Sequence, residues 1–193
     1  MSTDNLEIQK NAHKNILLAI DRNERLIQQL LTLARLTSDR VELSMERVNF
    51  GKLVRNVTAQ LLRVSEAKNI SLRIESWDNA YILASSESIS ILLHNLIRNA
   101  INHTPEGGRI RVKVEEKNKE IILCVIDNGS GIPEDKYEAV LKRFQKAGNS
   151  SRSGSGLGLS IVKRICDLHH AKINLSKANK AGGLKVTVTF ANL

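Results

Sequence analysis

The sequence predicts an α+β domain preceded by one long amphipathic helix, with hairpin-connected strands forming one sheet and helices lying on one face of it. Three observations carry this expectation. Residues 5–36 keep a helical apolar period without a single Gly or Pro. Two pairs of apolar-rich runs, 109–115 with 120–126 and 172–175 with 184–190, are bounded by turn residues and read as hairpins. Further helical patterns at 52–67, 87–103 and 159 to about 169 are interleaved with them.

In chain order, Ile16, Ile20, Ile27, Leu30 and Ala34 form one stripe of the first helix, widened by Leu17, Leu31 and Leu33. A stripe that broad asks for a partner helix, in a bundle or a dimer. Ser38, Asp39 and Arg40 break the pattern, and 41–50 reads as extended. The second helix, 52–67, turns Leu53, Val57, Leu61, Leu62 and Val64 to one side. Ile70–Ile74 alternates as a strand and Tyr81–Leu83 is a short one. The third helix, about 87–103, carries Ile89, Leu92, Leu93, Leu96, Ile97, Ala100 and Ile101, and Thr104-Pro-Glu-Gly-Gly108 ends it. Asn118-Lys119 makes the first hairpin turn, Pro133 opens a short helix at the position that tolerates proline, and Gly182-Gly183 joins the last two strands.

Composition narrows the function. The formal charge of +9 over 193 residues suits an anionic partner. Only 3% aromatic residues argues against a stacking platform for single strands of nucleic acid. No apolar run reaches membrane-spanning length. Cys124 and Cys166 sit in apolar settings without metal-site spacing, and read as buried and reduced.

Three stretches carry candidate chemistry. Asn95 and Asn99 lie one turn apart on the third helix. They are either neutral oxygen ligands for a divalent metal and its phosphates or caps on neighbouring backbone. Asp127-Asn-Gly-Ser-Gly131 ends a strand in a carboxylate followed by two glycines. It is either a common turn or a place where a flat ring lies against backbone and donates an exocyclic amine. Finally, the polar, basic run 143–153 empties into Gly154, Gly156 and Gly158, with a helix directly behind. Unpartnered N–H groups and the helix dipole favour an anion at such a turn, and the run before it reads as a cover. A dinucleotide fingerprint fails here, since Leu159 stands where its third glycine would be, and a P-loop fails for want of a Lys-Ser or Lys-Thr.

In order and spacing, Asn95…Asn99, Asp127-x-Gly-x-Gly131, Arg143-Phe144 and Gly154-x-Gly-Leu-Gly-Leu159 resemble the N, G1, F and G2 boxes of bacterial two-component sensor histidine kinases. The likeness covers nearly the whole chain, and its texture is similar to the polymyxin-resistance and quorum-sensing sensor kinases. The stretch from Ile20 to Leu36 resembles the second helix of that family's dimerisation domain. The resemblance implies residues 1–40 as a partial dimerisation region (second helix only) and 41–193 as the catalytic ATP-binding domain. It implies a Bergerat-type two-layer α/β sandwich, a mixed sheet with three helices on one face and ATP held under a lid spanning 132–153.

Carried over by motif, Asn99 with Asn95 belongs to the Mg²⁺ and phosphate end, and Asp127 holds the adenine amine. Gly129 and Gly131 give the ring room, Ile132 binds nucleotide where the lid begins, and His103 stands as a wall residue where the family often has Tyr. Arg143, with Lys146 or Arg152 as helpers, contacts the polyphosphate or the transferring phosphoryl group. Gly154, Gly156 and Gly158 wrap the phosphates, and Leu157 between them belongs to the nucleotide-binding set. Two departures from the pattern are Asn102, at a position frequently basic, and Arg98, where an acid is common. The family's phosphoacceptor His, in a His-Glu or His-Asp context followed by Pro, has no counterpart, because His13 is followed by Lys14 and Asn15. The chain therefore reads as beginning inside the dimerisation hairpin.

The function implied is transfer of the γ-phosphoryl group of ATP, with Mg²⁺, to that His, for relay to a response-regulator Asp. The implied partners are a second copy through the dimerisation helices and the regulator, with no nucleic acid. The implied location is the cytoplasmic portion of a bacterial inner-membrane protein, joined to the membrane only through segments outside this chain. Two alternatives compete. A hydrolytic ATPase of the gyrase, chaperone and mismatch-repair superfamily would need a Glu one turn before the metal-binding Asn, where Asn95 stands. A basic nucleic-acid-binding module has only charge in its favour.

Overall fold

The computed structural model describes residues 2–37, 43–75, 79–142, 156–179 and 182–191. The chain divides into two compact units, Met1–Ser38 and Asp39–Leu193. In the first, α1 (Ser2–Thr37) is continuous, as expected of a periodic stretch with no helix breaker. Ile16, Leu17, Ile20, Ile27, Leu30 and Leu31 are all exposed on it.

The second unit begins with β1 (Glu46–Asn49), which runs directly into α2 (Phe50–Glu66). Asn49 caps that helix, its side chain accepting from the Lys52 N–H at 2.8 Å. β2 (Ser71–Glu75) and β3 (Tyr81–Ala84) follow, then α3 (Ser86–His103), capped by Ser85. β4 (Arg109–Lys117) and β5 (Glu120–Asp127) form a hairpin whose turn residues, Asn118 and Lys119, both have positive φ, 53° and 61°. That is the two-residue turn whose twist matches antiparallel strands. A 3₁₀ turn (Glu134–Lys136) and the one-turn α4 (Tyr137–Val140) precede α5 (Gly158–Leu168), β6 (Lys172–Asn179) and β7 (Gly182–Ala191).

The main sheet has the order β2-β4-β5-β7-β6, with β2 parallel to β4 and the other neighbours antiparallel. It is thus the mixed sheet implied by the resemblance, and it differs in two ways from one made only of hairpins. β2 pairs in parallel because the chain passes through β3 and the whole of α3 before returning beside it, the long connection that parallel strands need. β1 and β3 stay out of the main sheet and pair with each other, Glu46 opposite Ala84 through Asn49 opposite Tyr81. Each is four residues long and leads into a helix, so this small ribbon fixes the starts of α2 and α3.

Alternation along the strands sends Ile110, Val112 and Val114, Ile121, Leu123 and Val125, and Val186, Val188 and Phe190 into the core. Phe50, Val54, Val57 and Leu61 of α2 and Ile161, Val162 and Ile165 of α5 meet the same layer. α3 packs between α2 and α5. Its Ile89, Leu92, Leu93, Leu96, Ile97 and Ile101 are buried, each burial worth about 1.5–3 kcal/mol. The open sheet face holds the other half of each alternation, including Arg109, Arg111 and Lys113.

A buried histidine ties the end of α5 to the start of α3. The Ser85 N–H donates to His169 Nε2 at 3.1 Å, so Nδ1 carries the proton and donates to the Ile165 carbonyl at 2.8 Å. Burial pulls the His169 pKa down, against the raising effect of the Ile165 bond, and His170 lowers it further. With a folded pKa below the unfolded value of about 6.5, the unfolded chain takes up the proton first. The stabilisation is complete above about pH 6.5 and is lost as pH falls below that value toward the folded pKa. His94 and His103 are shifted the same way, chiefly by desolvation. Urea melts are expected to show stability falling as the pH drops below about 6.5, by at most about 1.4 kcal/mol per pH unit for each histidine. His169→Gln should flatten that dependence, and a variant with the wild-type slope would refute the assignment to His169.

Candidate functional site

α3 brings two sites together along one face. At its middle, Asn95 and Asn99 face the start of α5. A Cβ placed on Gly158 would lie 3.0 Å from Asn99 Nδ2, 3.1 Å from Asn99 Oδ1 and 3.3 Å from Asn95 Oδ1. A side chain here would press on both carboxamides, which would have to shift by a few tenths of an ångström to admit it. Asn95 Nδ2 donates to the Ile91 carbonyl at 2.8 Å, which bonds one of its two polar ends to its own helix. Among the described residues none hydrogen-bonds the Asn99 carboxamide. The α5 N-terminus has no side-chain cap and no acid in its first turn. Its first N–H groups therefore meet the site with the dipole's positive end.

At the C-terminal end of α3, four residues and about 6 Å further along the axis, the turn after β5 closes on the helix. A Cβ on Gly129 would sit 2.2 Å from the His103 carbonyl oxygen, so no other residue allows this approach. Asp127 ends β5 and is buried. Its Oδ1 accepts from the Gly129 N–H at 2.8 Å and from the Leu184 N–H at 3.2 Å. Burial raises its pKa, while those two bonds and the His103 ring pull it back. The second donor reaches Asp127 because Gly183, at φ +82°, runs against the Asp127 carbonyl, where a Cβ would be 2.2 Å from the oxygen. Gly131, also at positive φ, lies against the Gly183 backbone, and Ile132 follows it half-buried.

The Histidine kinase-, DNA gyrase B-, and HSP90-like ATPase family matches residues 84–192. The chain belongs to this family. Among curated proteins, it is 36% identical over 171 residues to the sensor protein kinase PmrB of Pseudomonas aeruginosa, covering 88% of this chain and 36% of PmrB. It is 31% identical over 174 residues to the sensor protein QseC of Salmonella typhimurium, covering 89% of this chain and 37% of QseC. The chain thus spans little more than a third of the length of either. The solved catalytic domain of the histidine kinase ThkA superposes with a TM-score of 0.69 at 26% identity, over 78% of this chain and 97% of that one. ThkA in complex with the response regulator protein TrrA matches at 0.78 and 26%, over 93% of this chain and 51% of that one. The matched region is the ATP-binding catalytic domain of a sensor histidine kinase, related to the PmrB and QseC type.

Within this histidine kinase domain the structure gathers Asn95, Asn99, Leu157 and Gly158 at one end and His103, Asp127, Gly129, Gly131 and Ile132 at the other. Gly156, at φ +73°, leads into Leu157, which is fully buried and anchors the start of α5. Arg143, Lys146, Arg152 and Gly154 lie outside the described residues, as does the second half of the expected lid, 143–153. Arg98 is half-buried and engaged, and it lowers the His94 pKa after desolvation does. Two contributors escaped the sequence: the Leu184 N–H, 57 positions from Asp127, and the His103 carbonyl, which is main chain. Gly182-Gly183 was the one visible trace of the first, read there as a plain turn.

Proposed function

We propose that in the intact protein this domain transfers the γ-phosphoryl group of Mg²⁺-bound ATP to a histidine of the dimerisation domain, from which it passes to an aspartate of a response regulator. The observation that carries the reading is the cradle at Gly158, where an uncapped helix N-terminus meets two carboxamides at 3.0–3.3 Å from the absent Cβ. Neutral amide oxygens beside a ready anion site would suit a hard divalent cation that arrives with phosphate. When bound, the cation neutralises charge on the transferring group.

The chain's own residues then take these roles. Asn99 ligates Mg²⁺ through its amide oxygen, and Asn95 steadies the phosphate end. The N–H groups of α5 and the glycines 154, 156 and 158 hold the phosphates. Asp127, positioned by two backbone donors on one oxygen, accepts the adenine amine, while Gly129 and Gly131 let the ring lie on backbone and His103 walls it. Arg143, with Lys146 or Arg152, stabilises the moving phosphoryl group, a reaction that depends almost wholly on positioning and charge. Asn95 cannot replace the Glu of the hydrolytic relatives, because an amide with its Nδ2 bonded to Ile91 takes no proton from water.

The exposed apolar stripe of α1 pairs with a second copy, and the ThkA complex with TrrA supports a response regulator as the next partner. No helix among the described residues is long and apolar enough to cross a membrane. In the intact protein, this domain lies on the cytoplasmic side of the inner membrane.

The test is thermal unfolding with Mg-ATP. At about 100 times its dissociation constant, Mg-ATP is expected to add about 2.7 kcal/mol of stability. EDTA or Asn99→Ala should remove most of the magnesium-dependent part. A wild-type shift unchanged by EDTA would make the two asparagines structural and defeat the metal assignment.

A further inference from the structure

We propose a second anion site on the open face of the sheet, where Arg73, Arg109 and Arg111 converge on a recess that takes a small phosphate ester. The recess has a volume of about 310 Å³ and lies against Ser71, Arg73, Arg109, Arg111, Ile126 and Asn128; buried Asp127 also borders it, with Oδ1 engaged by the Gly129 and Leu184 N–H groups. It is on the side of β2, β4 and β5 away from α2, α3 and α5. The alternation that buries Ile110 and Val112 against the helices turns Arg109 and Arg111 outward.

The register makes the cluster unusual. In the parallel pair, Ser71 stands opposite Arg109 and Arg73 opposite Arg111, on strands about 4.8 Å apart. Like charges directly opposite each other destabilise a sheet. The acids of the same face do not relieve the pair. Glu115 bonds Lys113 at 2.6 Å, and Glu75 stands opposite Lys113 in the ladder, so negative charge collects at the far end of β4. Among the described residues no carboxylate lies within ion-pair distance of the three guanidinium groups. An anion in the recess would relieve the repulsion.

The lining also selects the anion. Guanidinium forks bind phosphate through paired N–H groups. Asn128 Oδ1 accepts the main-chain N–H of Arg109 at 2.7 Å, which fixes the carboxamide and leaves its NH₂ to donate. Ile126, half-buried beside Arg111 in the ladder, supplies an apolar wall for the body of the ligand. The volume stands at the low end for small-molecule pockets, which suits a compact ester. A concave, partly apolar recess fits a free ester better than a flat membrane surface, although a lipid headgroup carries the same phosphate chemistry.

The experiment uses the full chain saturated with a magnesium complex of a non-hydrolysable ATP analogue, to occupy the nucleotide site. Glycerol 3-phosphate and inorganic phosphate are titrated while backbone amide resonances are followed. Saturable shifts at Ser71, Arg111 and Asn128 are expected. Arg73→Gln and Arg111→Gln should each weaken binding about tenfold or more, Arg111→Lys should weaken it less, and Lys119→Gln at the far hairpin should leave it unchanged. All three side chains are exposed, so the fold should survive each substitution. Absence of shifts, or equal binding by the Gln variants, overturns the site. Binding to phosphatidylglycerol vesicles that depends on the arginines, with none to glycerol 3-phosphate, overturns the small-ligand assignment in favour of a lipid surface.

Discussion

Replacing Asp127 by asparagine is expected to lower ATP affinity by roughly 2–3 kcal/mol, about 30- to 160-fold, while leaving the fold intact. The fold survives because the amide oxygen can still accept from the Gly129 and Leu184 N–H groups that now hold Oδ1. Burial already opposes the ionised carboxylate, so removing its charge relieves a desolvation cost. Binding suffers because the second oxygen becomes an NH₂, which turns a donor toward the donor amine of adenine. Calorimetric titration with Mg-ATP, beside a urea melt of each protein, separates the two effects. A folded variant with near wild-type affinity would remove Asp127 from the adenine contact. Guanosine and inosine triphosphates supply a control. Inosine lacks the exocyclic amine, and the variant should discriminate against it less than the wild type does.

The same residue shows how much of the site could be read from the chain. Asp127, Gly129 and Gly131 were visible as a strand end followed by glycines, because local backbone demands leave a local trace. Asn95 and Asn99 were visible as a pair because helical spacing puts them on one face. Their relation to Gly158 was not, since it depends on how α3 and α5 pack, and periodicity says only that each helix has an apolar side. The Leu184 donor was hidden because it comes from an adjacent strand, through a peptide bond with no side-chain signature. Among the strands, the two hairpins were legible from alternation and turn residues. The parallel pairing of β2 was not, because neither strand's sequence records the connection that reverses the chain. The opposition of Arg73 and Arg111 follows from that pairing, so it too appears only in the folded chain. The small β1–β3 ribbon was missed as a separate sheet for a related reason. Four-residue strands carry too little alternation to assign partners, although Val48, Ile82 and Ala84 are all buried in the folded chain.

This chain, incubated with γ-labelled ATP and Mg²⁺, is expected to bind nucleotide and yet form no acid-labile phosphohistidine. Phosphoryl transfer needs a nucleophile in line with the γ-phosphate at near-contact distance, and each of its five histidines fails that condition. His169 is buried, with both ring nitrogens committed to Ser85 and Ile165. His170 follows it at positive φ, beyond the C-terminal end of α5 and so remote from the N-terminus that faces the phosphates. His94 is held by Gln60 at 3.0 Å on the side of α3 toward α2. His103 lies at the adenine end, its carbonyl against Gly129. His13 bonds the Gln9 carbonyl within α1 and lacks the acidic neighbour and proline of the family's acceptor motif. Added in trans, a separate helical hairpin carrying that motif should become labelled. The rate should fall far below that of a covalently linked kinase, because the effective concentration supplied by the link is gone. Asn99→Ala and Asp127→Asn should both suppress the trans reaction, whereas Arg73→Gln should not, since Arg73 lies on the far face of the sheet. Acid and alkali washes distinguish phosphohistidine from phosphate esters. Label on His13 in the isolated chain would mean that α1 carries the acceptor after all. Rapid phosphate release without transfer would move the domain toward the hydrolytic branch of its family, and would require some group other than Asn95 to activate water.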